Sequence, residues 1–343
     1  MSILLRDLSE LRGAIEGGPF STNLQLVDEV LSGNASGPLA DFILEKLAFC
    51  FGEVNEDAMK EILSLREKAF DEIDHLVEEA CENIEENKGH CYRASSRQEA
   101  IDIVKSLVGS GKIVIKSFDF AVEEIGVGKE LREDNTVLDS SVPLAVSYLL
   151  PKIGGDVVLE HLKDLNLSGE IEESLAAYYR KKLHEADVGI TGVRALAADP
   201  GAMSFLPDSG IDRLITMSPE IHIIVAGLEE LVASYAEAFA ITEFISRYSE
   251  GEYSFLGFVG GPSKTGDIEK RVTYGAHGPR EFHVIILDDG RAKAMEERSP
   301  AIMCPRASKL PCPEVWSAWK KILGLGGDVR GVKSFGRCPP LIS

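Results

Sequence analysis

The densest collection of hydrogen-bonding side chains lies in GGPSKTGDIEKRVTYGAHGPREFHVIILDDGR, from Gly260 to Arg291. Gly260, Gly261 and Gly266 bend the backbone around Ser263, Lys264 and Thr265, and a His-Gly-Pro-Arg step ends at Arg280. Glycine lets main-chain N–H groups approach an anion closely, while Ser, Thr and Lys add donors and charge. A helix starting near Asp267 would add its amino-terminal dipole. The stretch is not a P-loop, because Gly266 is followed by Asp267 where that motif requires lysine. The same residues also fit an ordinary surface turn. Asp267, Glu269 and His277 have the chemistry of acids, bases or metal ligands. No H-x-x-x-H or His/Cys cluster accompanies them, so no metal site is expected. Arg280 suits a carboxylate or phosphate clamp, or a bridge to Glu281 or Asp288. His283 reads as a satisfied sheet histidine.

Five other positions matter if ligands gather beyond the carboxyl ends of parallel strands. Ser117 follows the apolar run IVIK, and Thr191-Gly192 follows DVGI. Glu123 and Glu124 lie just beyond Ser117. A loop glutamate can serve as base or nucleophile, or as a helix-dipole partner. Being adjacent, at most one should face a cleft, and Glu124 is the candidate.

The elements that would position these residues alternate. Short apolar runs recur at 111–116, 136–138, 156–159, 187–190, 202–206, 221–227, 253–259 and 281–287, with helical patterns at 97–109, 170–186 and 227–248. Strand-helix-strand alternation with largely apolar strands predicts an α/β domain whose sheet is mostly parallel and flanked by helices. The two runs in 187–206 and the ADPG between them could instead form an edge hairpin. Residues 1–90 read as helical, with one amphipathic helix over Glu56–Asn87. The Pro/Cys-containing segment from Ser299 leaves room for one short helix carrying Trp316 and Trp319, which should anchor it on the sheet domain. The expected organisation is a helical extension over 1–70, an α/β domain over 71–298 and an irregular tail over 299–343.

Composition excludes several classes. The chain has 343 residues, 36 Lys and Arg against 56 Asp and Glu, and a net charge of −20. No basic face is available to neutralise nucleic-acid phosphates. No apolar run reaches the ~18 residues of a spanning helix. The amino-terminal stretch lacks a signal-peptide core. The six cysteines include no C-x-x-C pair, so a reduced cytoplasmic setting is expected.

Three motifs in one order carry a resemblance: KSFDFAVEEIGVGKEL (116–131), the segment from ADVGITGVRALAADPG to AGLEELV (186–232), and the Gly260–Arg291 stretch. Together they resemble the lactate-utilisation, or LUD, domain family over roughly residues 70–295. That resemblance implies a fold similar to ribose-5-phosphate isomerase, glucosamine-6-phosphate deaminase and CoA transferases. It also implies a link to a bacterial complex that oxidises L-lactate to pyruvate. One LUD subunit of that system carries a ferredoxin-like tail, and another is a small LUD-only subunit. Here the corresponding tail reads CPRASKLPCPEVW, with Ala307 and Leu310 where cluster cysteines would stand. Cys304, Cys312 and Cys338 are too few for a [4Fe–4S] cluster, which usually takes four thiolates.

The sequence therefore points to a LUD-type protein binding a small carboxylate or phosphate. Ser117, Thr191, Gly192, Gly261, Ser263, Lys264, Thr265 and Arg280 would hold the anion. Glu124, Asp267 and His277 are the acid/base candidates, and no cofactor is named. The rival reading is a non-catalytic accessory or assembly subunit of an iron–sulfur or flavin oxidoreductase complex. Oxidoreductase subunits or a second copy of the chain are the candidate protein partners.

Overall fold

The structure is a computed structural model and describes residues 29, 55–140, 179–206, 210–248, 255–266, 271–304 and 313–323. The strand candidate at 156–159, Asp267, Cys312 and Cys338 lie outside the described residues.

The main sheet contains β1 (His90–Ala94), β2 (Ile113–Lys116), β3 (Thr136–Asp139), β4 (Val188–Thr191), β7 (Ile221–Gly227) and β12 (Glu281–Leu287). Its order is β1-β12-β7-β4-β2-β3, and every pairing is parallel. Both faces of the sheet are covered, which is why the strands read as apolar runs and not as alternations. Ile223, Val225, Ile285 and Leu287 face one core with helix α3 (Arg97–Val108), which contributes Ala100, Ile101, Val104 and Val108. Ile224, Ala226, Val284 and Ile286 face the other core.

That second core is larger. It takes in α1 (Glu56–Asp71), α2 (Ile73–Glu86) and a second sheet of order β8-β5-β6-β9. The strands of that sheet are β5 (Ala195–Asp199), β6 (Ala202–Phe205), β8 (Leu231–Ser234) and β9 (Gly257–Val259). The core also buries Ile302 and Trp319 from the tail, beside Met59, Ile62 and Phe70 of α1. Fully burying one such side chain contributes about 1.5–3 kcal/mol, so α1 and the tail are joined to the sheet by apolar packing of some weight.

Several boundaries differ from expectation. The amphipathic stretch 56–87 is two helices broken at Glu72, not one. Residues 187–206 are not an edge hairpin: β4 is internal to the parallel sheet, while β5 and β6 form a hairpin in the second sheet. The segment 227–248 is a turn, then β8, and only then helix α7 (Tyr235–Tyr248), because Leu231 and Val232 pair with Leu196 and Ala197. The run at 253–259 supplies β9, which pairs antiparallel with β6 and lies outside the parallel sheet. Apolar strands of both sheets are buried alike, so their composition did not separate them. Two of the cysteines depart from the reduced state expected: Cys81 of α2 is disulfide-bonded to Cys91 of β1.

A close approach fixes one glycine. A Cβ on Gly189 of β4 would lie 2.4 Å from the Ile215 carbonyl oxygen, where helix α6 (Gly210–Ile215) crosses the sheet. Gly189→Ala is expected to cost about 1–3 kcal/mol by overpacking. Gly266→Ala, with nothing within 4 Å of the added carbon, serves as the near-neutral control. Urea denaturation of both variants checks this.

Candidate functional site

In chain order the sheet runs outward from β2 to β3, then back through β4, β7 and β12 toward β1. The direction reverses between β2 and β4, and the crevice beyond their carboxyl ends is the position where open parallel sheets bind ligands. Ser117 follows β2, Thr191 ends β4 and Gly192 follows it, so the structure brings these three expected residues together.

A carboxylate absent from the sequence-based candidates organises them. Asp119 Oδ2 accepts hydrogen bonds from the Ser117 hydroxyl and, at 3.1 Å, from the Gly192 N–H. Its Oδ1 accepts from the Arg194 guanidinium at 2.6 Å. All three side chains involved are buried. They line a cavity of about 20 Å³ with Thr191, Asp212 and Thr216 and the apolar Phe205 and Leu206. A hydroxyl, a main-chain amide and a guanidinium converging on one point form a donor set suited to a carboxylate.

Beneath the crevice, the Thr191 hydroxyl lies 2.9 Å from His222 Nε2. His222 is fully buried, which pushes its pKa down to about 3 and keeps the ring neutral. Thr191 therefore sits on a neutral hydrogen-bonding ring, not on an imidazolium.

Two buried ion clusters flank the crevice. Lys116 donates to Glu123 and, at 2.6 Å, to Asp139. Burial pushes Glu123 up to about 8 against the opposing pull of Lys116. On the other side Arg291 donates to both oxygens of Glu124, at 3.0 and 2.5 Å, and to Glu229 at 2.6 Å. The Trp319 ring covers that guanidinium, with its centroid 4.8 Å from Cζ. Glu230 accepts from the Gly227 N–H at 2.9 Å; burial first, and Glu229 second, hold its carboxyl well above the usual range. Glu123 and Glu124 are thus both buried in ion pairs, where at most one of them was expected to face a cleft. Glu124 has no exposed side-chain surface, and Arg291 engages both its oxygens, so it is not poised as a base.

The part of the Gly260–Arg291 stretch that precedes β12 occupies a different edge. Its residues form β10 (Lys264–Gly266) and β11 (Val272–Tyr274), an antiparallel pair. The Ser263 N–H donates to Pro279 O at 2.8 Å, and the Arg280 N–H to Glu220 O at 2.7 Å, just before β12 and β7 begin. Lys264 reaches Asn87 Oδ1 at 3.4 Å, and Gly261 (φ +108°) sits against the Asn87 carbonyl. Arg280 and His277 are exposed, and Arg280 pairs with Glu220 at 3.8 Å, not with Glu281 or Asp288. Seven residues of β12 separate the two edges by about 20 Å. One small ligand cannot touch both, so Gly261, Ser263, Lys264, Thr265 and Arg280 do not complete a cradle with Ser117, Thr191 and Gly192. Thr265 lies within β10 itself. His283, as expected, is a buried sheet histidine, 3.2 Å from the Tyr92 hydroxyl.

Asp119 and Arg194 were missed because they lie two residues beyond Ser117 and three beyond Thr191, in KSFDF and TGVR. Their signal was proximity to Ser117 and Thr191. No group of three or more His, Cys, Asp or Glu side chains among the described residues could hold a metal ion. No helix among them is long and apolar enough to cross a membrane.

Comparison with known proteins adds a family. Residues 77–287 match the LUD domain model. The chain is 27% identical over 293 residues to Lactate utilization protein B of Bacillus velezensis, covering 78% of this chain and 60% of that protein. It is 28% identical over 284 residues to the protein of the same name from Bacillus licheniformis, covering 76% and 57%. The chain thus spans about three-fifths of the length of these curated relatives. Among solved structures, a DUF162 family protein from Deinococcus radiodurans aligns with a TM-score of 0.37 at 19% identity, covering 64% of this chain and 98% of that one.

Two outcomes follow from the buried groups. Arg291→Met would strand Glu124 and Glu229 without a counter-charge; a loss of about 3–5 kcal/mol is expected in denaturant titration. His222 titrates near 6.5 in the unfolded chain and near 3 in the fold. The unfolded chain therefore binds the extra proton between those values. The contribution of neutral His222 is complete above pH 6.5 and is lost as pH falls toward 3, at up to about 1.4 kcal/mol per pH unit. His222→Gln should remove that slope relative to the parent chain in urea titrations across this range.

Proposed function

The chain belongs to the LUD domain family, and on that premise we propose that it binds a small organic acid of the lactate type in the crevice between β2 and β4. The observation that carries this reading is the convergence of the Ser117 hydroxyl, the Gly192 N–H and the Arg194 guanidinium at the reversal point of the sheet. A carboxylate offers two oxygens for this donor set, while Thr191, Asp212 and Thr216 supply polar groups for a hydroxyl or carbonyl beside it. Phe205 and Leu206 supply the apolar wall that a short carbon chain requires. The name shared by the curated relatives, Lactate utilization protein B, supports lactate as the first ligand to try.

Glu123, Glu124 and Glu229 are all engaged by buried cations. That arrangement favours a chain that holds its ligand within a larger lactate-oxidising assembly over one that turns it over unaided. Redox cofactors would then come from partner subunits.

L-lactate should raise the melting temperature of the full chain, the stabilisation reaching about 2.7 kcal/mol at a hundred times Kd. Ser117→Ala and Arg194→Lys should weaken the effect. Lys264→Ala/Arg280→Ala, at the far edge, should leave it unchanged. Absence of any shift with L-lactate, pyruvate or glycolate in the parent chain would remove the reading, and loss of the shift in the far-edge double variant would move the site.

A further inference from the structure

We propose that Asp119 is a built-in occupant of the carboxylate site, which a ligand carboxylate displaces on binding. The inference rests on the crevice reading above and adds how the site is kept closed.

Four observations converge. The donors at the crevice already satisfy a carboxylate, and it is the chain's own: the Ser117 hydroxyl and the Gly192 N–H point at Oδ2, Arg194 at Oδ1. Asp119 precedes α4 (Phe120–Glu124) at the position where aspartate normally caps first-turn N–H groups, yet its side chain caps none of them. Its carboxylate is turned instead across the crevice, toward residues at the end of β4. The space beside it, about 20 Å³, is that of a single water, so a three-carbon acid cannot enter until something leaves. Asp119 is the one group that both lines this space and takes the three donors. Finally, a Cβ on Gly192 would lie 2.4 Å from Asp119 Cβ and 2.8 Å from Cγ, so a side chain at 192 would collide with the docked aspartate.

The exchange is balanced in kind. One carboxylate replaces another on the same donors, Arg194 keeps a counter-charge throughout, and the released aspartate can turn to the uncapped start of α4. A ligand must therefore compete with an internal carboxylate. The measured Kd equals the intrinsic Kd divided by the fraction of molecules in which Asp119 has swung away.

The test is to remove the occupant and supply it from solution. Asp119→Ala should lower the melting temperature, and sodium formate should restore it saturably, beyond an equal concentration of sodium chloride. The parent chain should respond to the two salts alike. In the same variant L-lactate should bind more tightly than in the parent, by about tenfold if the open form is about a tenth of the population. A residue that merely positions ligand would give the opposite sign. Formate rescue in a variant that ignores lactate would keep the occupant and retire lactate as the ligand. Lactate binding weakened by Asp119→Ala, with no formate rescue, would overturn the occupant and leave the crevice reading standing. Should Asp119→Ala not fold, Asp119→Asn keeps the shape and an acceptor while removing the charge. Tighter lactate binding in it supports the proposal, and weaker binding overturns it.

Discussion

The carboxyl edge of the parallel sheet depends on burying Arg291 between Glu124 and Glu229. A guanidinium taken out of water carries a desolvation penalty of several kcal/mol, which only well-placed carboxylates repay. Here the repayment comes from two separate connections, one after β2 and one after β7, while Arg291 itself follows β12. Three loops are thereby held at one point, and Trp319 excludes water from the far side of the cation. Lys116 does the same work for β2 and β3 through Glu123 and Asp139. The crevice lies between these two clusters. Its walls are set by charges that must remain paired, so its shape has little freedom except at the side chains that belong to neither cluster.

Asp119, Arg194 and Thr191 are such side chains. They are polar and buried: Asp119 takes hydrogen bonds from Arg194, the Ser117 hydroxyl and the Gly192 amide, and Thr191 meets a neutral imidazole. This division is a recurrent arrangement in ligand sites: a rigid ionic frame outside, and an adjustable hydrogen-bonded layer inside. The acidity of the chain has a local counterpart here, since the carboxyls at this edge outnumber the cations. Glu230 and Glu123 answer the excess by holding protons more tightly than free glutamates do.

The parallel sheet was legible in the sequence because its strands are apolar on both faces, and IHIIVAG, EFHVIIL and KIVIK declare themselves. Ser117, Thr191 and Gly192 were legible for the same reason, as the first polar residues after such strands. The Gly260–Arg291 stretch misled because YSFLGFV is just as apolar, although its strand belongs to the second sheet. Apolar content records that a strand is buried, not which neighbour it pairs with or which way it runs. Residue spacing equally could not show that Glu124 and Arg291, far apart in the chain, form one ion pair.

That distance bears on how the molecule is made. Glu124 and Arg291 are separated by 167 positions, and Glu229 and Arg291 by 62. At ribosomal rates of about 5–20 residues per second, Glu124 is exposed on the growing chain for on the order of ten seconds or more before its cation exists. Until then its carboxylate favours water, and the loop after β2 has no reason to close. Apolar layers can collapse earlier, but the carboxyl edge takes its native form only once β12 and Arg291 have been made. The carboxyl edge is also the end that nascent-chain chaperones would find open longest.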